Sequence, residues 1–144
     1  MQNNRNALED FKVNTKIKLS ALWTSLMFCY VYGDYFELYV PKKIDGLISG
    51  NNLLDSPMKL FAASILLTIP ALMIFLSIML KPKINRLLNL VFGTFYTALM
   101  LLIAFTSITK WLTFYVFLAI IESAITSIIV WQAWTWQKTR LPSV

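Results

Sequence analysis

The sequence predicts an all-α fold, an integral membrane bundle of four transmembrane helices with both termini in the cytoplasm. Three observations predict it. The chain has 144 residues and is 58% hydrophobic, with a mean hydropathy of +0.63, where a soluble domain is about 45–50% apolar. Its apolar residues gather into four stretches, each near the roughly 20 residues a helix needs to cross a bilayer. Its basic residues, 13 Lys and Arg against 7 Asp and Glu, sit at the ends of those stretches. Headgroups and the positive-inside rule favour them there.

Residues 1–18 are polar, with Arg5, Glu9, Asp10, Lys12, Lys16 and Lys18, and read as a cytoplasmic arm. The apolar run that follows is too long for a signal-peptide core. Residues 19–136 form the transmembrane domain. Span one covers about 19–40 and ends at Pro41, with Tyr30, Tyr32, Gly33, Asp34, Tyr35, Glu37 and Tyr39 in its second half. The longest loop, 41–57, holds the turn formers Gly46, Gly50, Asn51, Asn52 and Pro57. Within it Leu47-Ile48 and Leu53-Leu54 are apolar enough to enter the membrane interface.

Span two covers about 58–80. Pro70 inside it removes one helical hydrogen bond and frees the carbonyl of Leu66. A short basic loop, Lys81 to Arg86, leads to span three at about 87–109. Lys110-Trp111 make a tight turn into span four at about 112–134, and 137–144 are a short cytoplasmic tail. Arg5, Lys12, Lys16, Lys18, Lys81, Lys83, Arg86, Lys138 and Arg140 then fall on one side, against Lys42, Lys43, Lys59 and Lys110 on the other. The larger group marks the cytoplasm. Trp131, Trp134 and Trp136 sit at that interface and Trp111 at the other, as an aromatic belt requires. The halves of the chain differ in loop length and acid placement, which gives an inverted repeat no support.

Several chemistries are excluded. One cysteine, Cys29, and no histidine rule out thiol pairs, Cys/His metal sites and histidine-activated nucleophiles. The cysteine count also excludes a four-helix redox enzyme of the quinone type. Cys29 reads as a packing residue. The cations do not cluster on a polar face, which argues against a nucleic-acid partner. No metal or cofactor is expected.

The residues that remain are membrane acids and their neighbours. Glu122 lies roughly 15 Å into span four, at mid-membrane depth, where a carboxylate is costly and faces a partner, a cavity or water. Tyr115 and Thr126 share its face. In span one, Ser20, Trp23, Met27, Tyr30, Asp34 and Glu37 recur at helical steps. Asp34 lies roughly 6–9 Å inside the outer end, and Glu37 is at the rim, solvated or lysine-paired. Asp34 and Glu122 each have two open readings, a satisfied structural carboxyl or a ligand- or proton-binding group. Span three presents Asn89, Gly93, Tyr96 and Met100 on one face. Tyr96, about 13–14 Å deep, is placed to hydrogen-bond Glu122. Ala119, Ser123 and Ser127 form a small-residue stripe that lets a helix approach closely.

The chain also resembles small bacterial four-span membrane proteins grouped as a domain of unknown function. The likeness runs full length. It rests on Leu19-Ser20-Ala21-Leu22-Trp23, Met27-Phe28, Tyr30-Val31-Tyr32-Gly33-Asp34, Ile69-Pro70, Asn85-Arg86 with Asn89, Ile121-Glu122, and Val130 through Trp136. A glutamate often precedes the Ile-Pro in that pattern, and this chain has Thr68 there. The resemblance implies the fold and a bacterial inner-membrane location, nominates Asp34, Glu122 and the cytoplasmic loop residues Asn85, Arg86 and Asn89, and supplies no activity.

Three functions follow. The first is binding or transport of a small molecule or cation through a carboxylate-aromatic site made by Glu122, Asp34, Tyr30, Tyr96, Tyr115 and Thr126. Small multidrug transporters offer an analogy in size and lone membrane glutamate, though theirs lies in the first span. A path across the membrane would need at least a homodimer. The second is a structural or accessory subunit beside another membrane protein. The third is an acid/base enzyme on a lipophilic substrate, which needs two acids near one pocket. An enzyme is the less expected outcome.

Overall fold

The computed structural model describes residues 11–136. Arg5, Glu9, Asp10, Lys138 and Arg140 of the expected arm and tail lie outside the described residues. Among the described residues there are five α-helices and no strand: α1 (Thr15–Glu37), α2 (Lys43–Ser49), α3 (Pro57–Met79), α4 (Pro82–Thr106) and α5 (Thr113–Trp134), the last preceded by a 3-10 turn, Lys110–Leu112.

Local chemistry sets the boundaries. Asn14 caps α1 by accepting the amide of Lys16 at 2.9 Å. Ser56 caps α3 through the Lys59 amide, and Pro57 occupies the first turn, where its missing N–H costs nothing. Pro82 opens α4 in the same way. The helices therefore run past the apolar stretches. α1 begins before residue 19 and ends at Glu37, short of 40. α4 begins at Pro82, so Pro82 to Arg86 are helical and not a loop, and it ends at Thr106, short of 109. The long 41–57 loop contains α2, which starts after a left-handed Lys42 and stops at a left-handed Gly50.

Three segments are long and apolar enough to cross a membrane: Pro57–Met79, Pro82–Thr106 and Lys110–Trp134. α1 matches α3 in length at 23 residues, but Lys16, Lys18, Asp34 and Glu37 interrupt its apolar run. Large apolar side chains are exposed on every long helix, among them Phe28, Phe61, Phe95 and Phe117. That is the surface a bilayer would cover.

α1 packs on α3 and α5, α5 packs most extensively on α4, and α3 and α4, although joined directly, touch much less. The buried stripe of α4 is Asn85, Asn89, Gly93, Tyr96, Met100 and Ala104, one residue per turn. Gly93 brings α4 onto α5: a Cβ there would stand 2.8 Å from Cγ2 of Val130 and 3.4 Å from Cγ2 of Ile129. Ala119 and Ser123 of the small-residue stripe are buried, while Ser127 is exposed. Thr97 and Thr126 join across the same seam at 2.8 Å. α3 is the least embedded long helix. Only Pro70, Met73 and Ser77 are buried, all in its second half.

Candidate functional site

Pro70 is where the site begins. It has no N–H to give the carbonyl of Leu66 one turn earlier. An unpaired carbonyl within an apolar bundle is costly, and here it accepts the hydroxyl of Tyr96. This corrects the expected Tyr96–Glu122 bond, because Tyr96 points at α3 rather than α5. Trp23 holds the Tyr96 ring edge-on, centroids 6.0 Å apart at 86°.

With Tyr96 so engaged, Glu122 has no such partner. It is 6% exposed. Its main-chain carbonyl accepts Thr126 Oγ1 at 2.9 Å, but among the described residues its carboxyl takes no hydrogen bond. Tyr30 is 8% exposed, and its hydroxyl is buried without a partner among the described residues. Both residues line one cavity of about 340 Å³. All four long helices line it: Tyr30, Gly33 and Asp34 from α1, Ala63, Leu66 and Leu67 from α3, Tyr96, Leu99, Met100 and Ile103 from α4, and Tyr115, Leu118 and Glu122 from α5. Leu53 and Leu54 add to the lining from the segment before α3.

Asp34 and Glu122 thus share a cavity, at different depths. Asp34 is exposed, three residues from the end of α1, about 4–5 Å along the axis. Glu122 is nine residues into α5, about 13–14 Å. Gly33 lets the wall approach without crowding, since a Cβ there would meet Leu118 at an ordinary 3.5 Å. Glu37 lies outside the cavity, paired with Lys43 at 2.6 Å. Thr126, although on the Glu122 face, is spent on the α4–α5 seam.

Asn85, Asn89 and Arg86 lie at the opposite end of the bundle. The two asparagines are fully buried inside α4, not in a loop, because Pro82 starts the helix before them. They form a chain: Trp23 Nε1 donates to Asn89 Oδ1 at 2.7 Å, Asn89 Nδ2 donates to Asn85 Oδ1 at 2.6 Å, and Asn85 Nδ2 donates to the carbonyl of Ser77. Arg86 donates to the carbonyl of Trp134 at 3.2 Å, at the end of α5. This chain ties α1, α3 and α4 together and does not reach the cavity. Among the described residues no group of three His, Cys, Asp or Glu side chains is placed to hold a metal.

The roof made by Leu53 and Leu54 is absent from the residues nominated by sequence. Its signal was the apolar pair inside a polar loop, which reads equally as an interfacial anchor.

Fold and site together define a class, an all-α membrane protein with an acid-bearing cavity among its helices. Within it, the chain belongs to DUF6326, a family of unknown function whose model matches residues 7–143. No curated protein and no solved structure matches the chain.

Proposed function

We propose that the chain is a four-span protein of the bacterial inner membrane, both termini cytoplasmic, that binds or transports a small amphipathic cation in the Glu122 cavity. The observation that carries this reading is the Glu122 carboxyl, which takes no hydrogen bond among the described residues although its residue is 6% exposed, in a cavity that Tyr30, its buried hydroxyl also unpartnered among those residues, helps to line. Buried polar groups are almost always hydrogen-bonded. A cavity lined by two residues whose polar groups are not fits a ligand that supplies what they lack. An ammonium offers donors to the carboxyl, and the rings of Tyr96 and Tyr115 offer faces to a cation. The apolar lining fits a hydrocarbon body.

The span count is supported by α1, equal in length to α3 and packed beside it and α5. The orientation is supported by Lys12, Lys16, Lys18, Lys81, Lys83 and Arg86 at one end against Lys42, Lys43, Lys59 and Lys110 at the other. A second reading, acid/base chemistry on a lipophilic substrate, is favoured by the presence of Asp34 and Glu122 in the same cavity.

Calorimetric titration of octylamine into the protein in detergent micelles tests the first reading. Glu122→Gln is expected to weaken binding at least about tenfold, and Tyr30→Phe about three- to tenfold, as for loss of one hydrogen bond to a charged ligand. Equal binding by wild type and Glu122→Gln would overturn it and leave the accessory-subunit reading ahead.

A further inference from the structure

We propose that the cavity is loaded from within the bilayer, through a gate formed by the first half of α3, and that its ligands are amines whose apolar tails are dissolved in the lipid. This rests on the reading of the cavity as a cation site.

The two halves of α3 differ. Beyond Pro70, Met73 and Ser77 are buried, Asn85 bonds the carbonyl of Ser77, and Lys16 Nζ bonds that of Ile78 at 3.0 Å. Before Pro70, from Pro57 to Ile69, no residue is buried. That half nevertheless supplies Ala63, Leu66 and Leu67 to the cavity wall. Of these Leu67 is itself 38% exposed. Behind it α3 and α4 are packed far more loosely than α1 on α3, α1 on α5 or α4 on α5. Among the described residues one side-chain hydrogen bond ties the first half of α3 to α4, that from Tyr96 to the Leu66 carbonyl. The proline between the halves is the usual site of a helix hinge.

The two acids fit this route. An amine resting in a bilayer keeps its charged head at the interface and its tail in the hydrocarbon. Asp34, exposed near the end of α1, stands at that level and lines the same cavity. Glu122 lies about 9 Å deeper. The head passes from the first acid to the second while the tail slides between α3 and α4. From the aqueous side, Leu53 and Leu54 present an apolar roof to a hydrated ammonium, which makes that path the costlier one.

Stopped-flow exchange of octylamine with the full chain in lipid nanodiscs tests this. Tyr96→Phe removes the tie and is expected to speed association and dissociation together, about three- to tenfold, the equivalent of one interhelical hydrogen bond in a membrane. The Kd should stay within about twofold, since the bond lost is between helices. Ala63→Trp fills the gap and is expected to slow both rates. If octylamine binds in a Glu122-dependent way but neither variant changes the rates, or if Leu53→Ala and Leu54→Ala change them instead, the gate is wrong and the site stands. If no Glu122-dependent binding occurs, both readings fall.

Discussion

The bond between Tyr96 and Leu66 exists because Pro70 left a carbonyl unpaired, and that dependence can be measured. Tyr96 is 1% exposed, and Tyr96→Phe leaves the Leu66 carbonyl without its side-chain donor. Leaving such a group unsatisfied costs about 1–3 kcal/mol in soluble proteins. Interhelical hydrogen bonds in membranes average about 0.6 and reach about 1.7 kcal/mol. We therefore expect about 1 kcal/mol. In a Pro70→Ala background the new N–H of residue 70 closes the helical bond to Leu66, and the same Tyr96→Phe change should cost only a few tenths of a kcal/mol. Packing lost with the proline ring appears in both backgrounds and cancels. Reversible unfolding in mixed micelles titrated with dodecyl sulfate would give the four stabilities. A coupling of roughly 0.5–1 kcal/mol is expected. Costs equal within about 0.3 kcal/mol, the usual limit of additivity, would show that Tyr96 does not serve the carbonyl that Pro70 exposes.

Other predictions follow from close approaches and buried polar groups. Gly93→Ala should destabilise the bundle by about 1–3 kcal/mol, because the added carbon meets a stiff Val130 methyl at 2.8 Å. Gly33→Ala, at ordinary contact distance, should cost under about 1 kcal/mol in the same unfolding assay. Asn89→Leu leaves the Trp23 indole N–H and the Asn85 side chain short of partners and should cost about 2–4 kcal/mol; a cost below about 0.5 kcal/mol would remove the chain's structural importance.

Helical spacing makes much of the buried faces legible in the sequence. Asn89, Gly93, Tyr96 and Met100 do share the inward stripe of α4, and Tyr30 and Trp23 that of α1. The release of the Leu66 carbonyl by Pro70 was also legible, since it depends on covalent chemistry alone. Its acceptor role toward Tyr96 was not. Counting residues gives depth along a helix, and Tyr96 and Glu122 are at comparable depths, but rotation about the axis decides which neighbour a side chain meets. The boundary at Pro82 is obscured in the sequence for a different reason. Lys83 and Arg86 read as loop residues when apolarity is the guide, whereas proline at the first turn is a start signal independent of apolarity. The seven residues of α2 are too few for a periodic pattern to emerge from a loop rich in glycine and asparagine.

The hydrogen-bonded chain from Trp23 through Asn89 and Asn85 to Ser77 bears on how such a bundle comes together. Once several apolar helices lie in a bilayer, greasy surface no longer tells one from another, because lipid tails satisfy it equally well. Sliding α1 by a single turn, about 5.4 Å, would cost little in apolar contact but would strand the Trp23 indole and the Asn89 oxygen that accepts from it. The three side chains and the Ser77 carbonyl thus act as an address, naming which helices are neighbours and at what height, and they are all written at the end of the molecule away from the cavity.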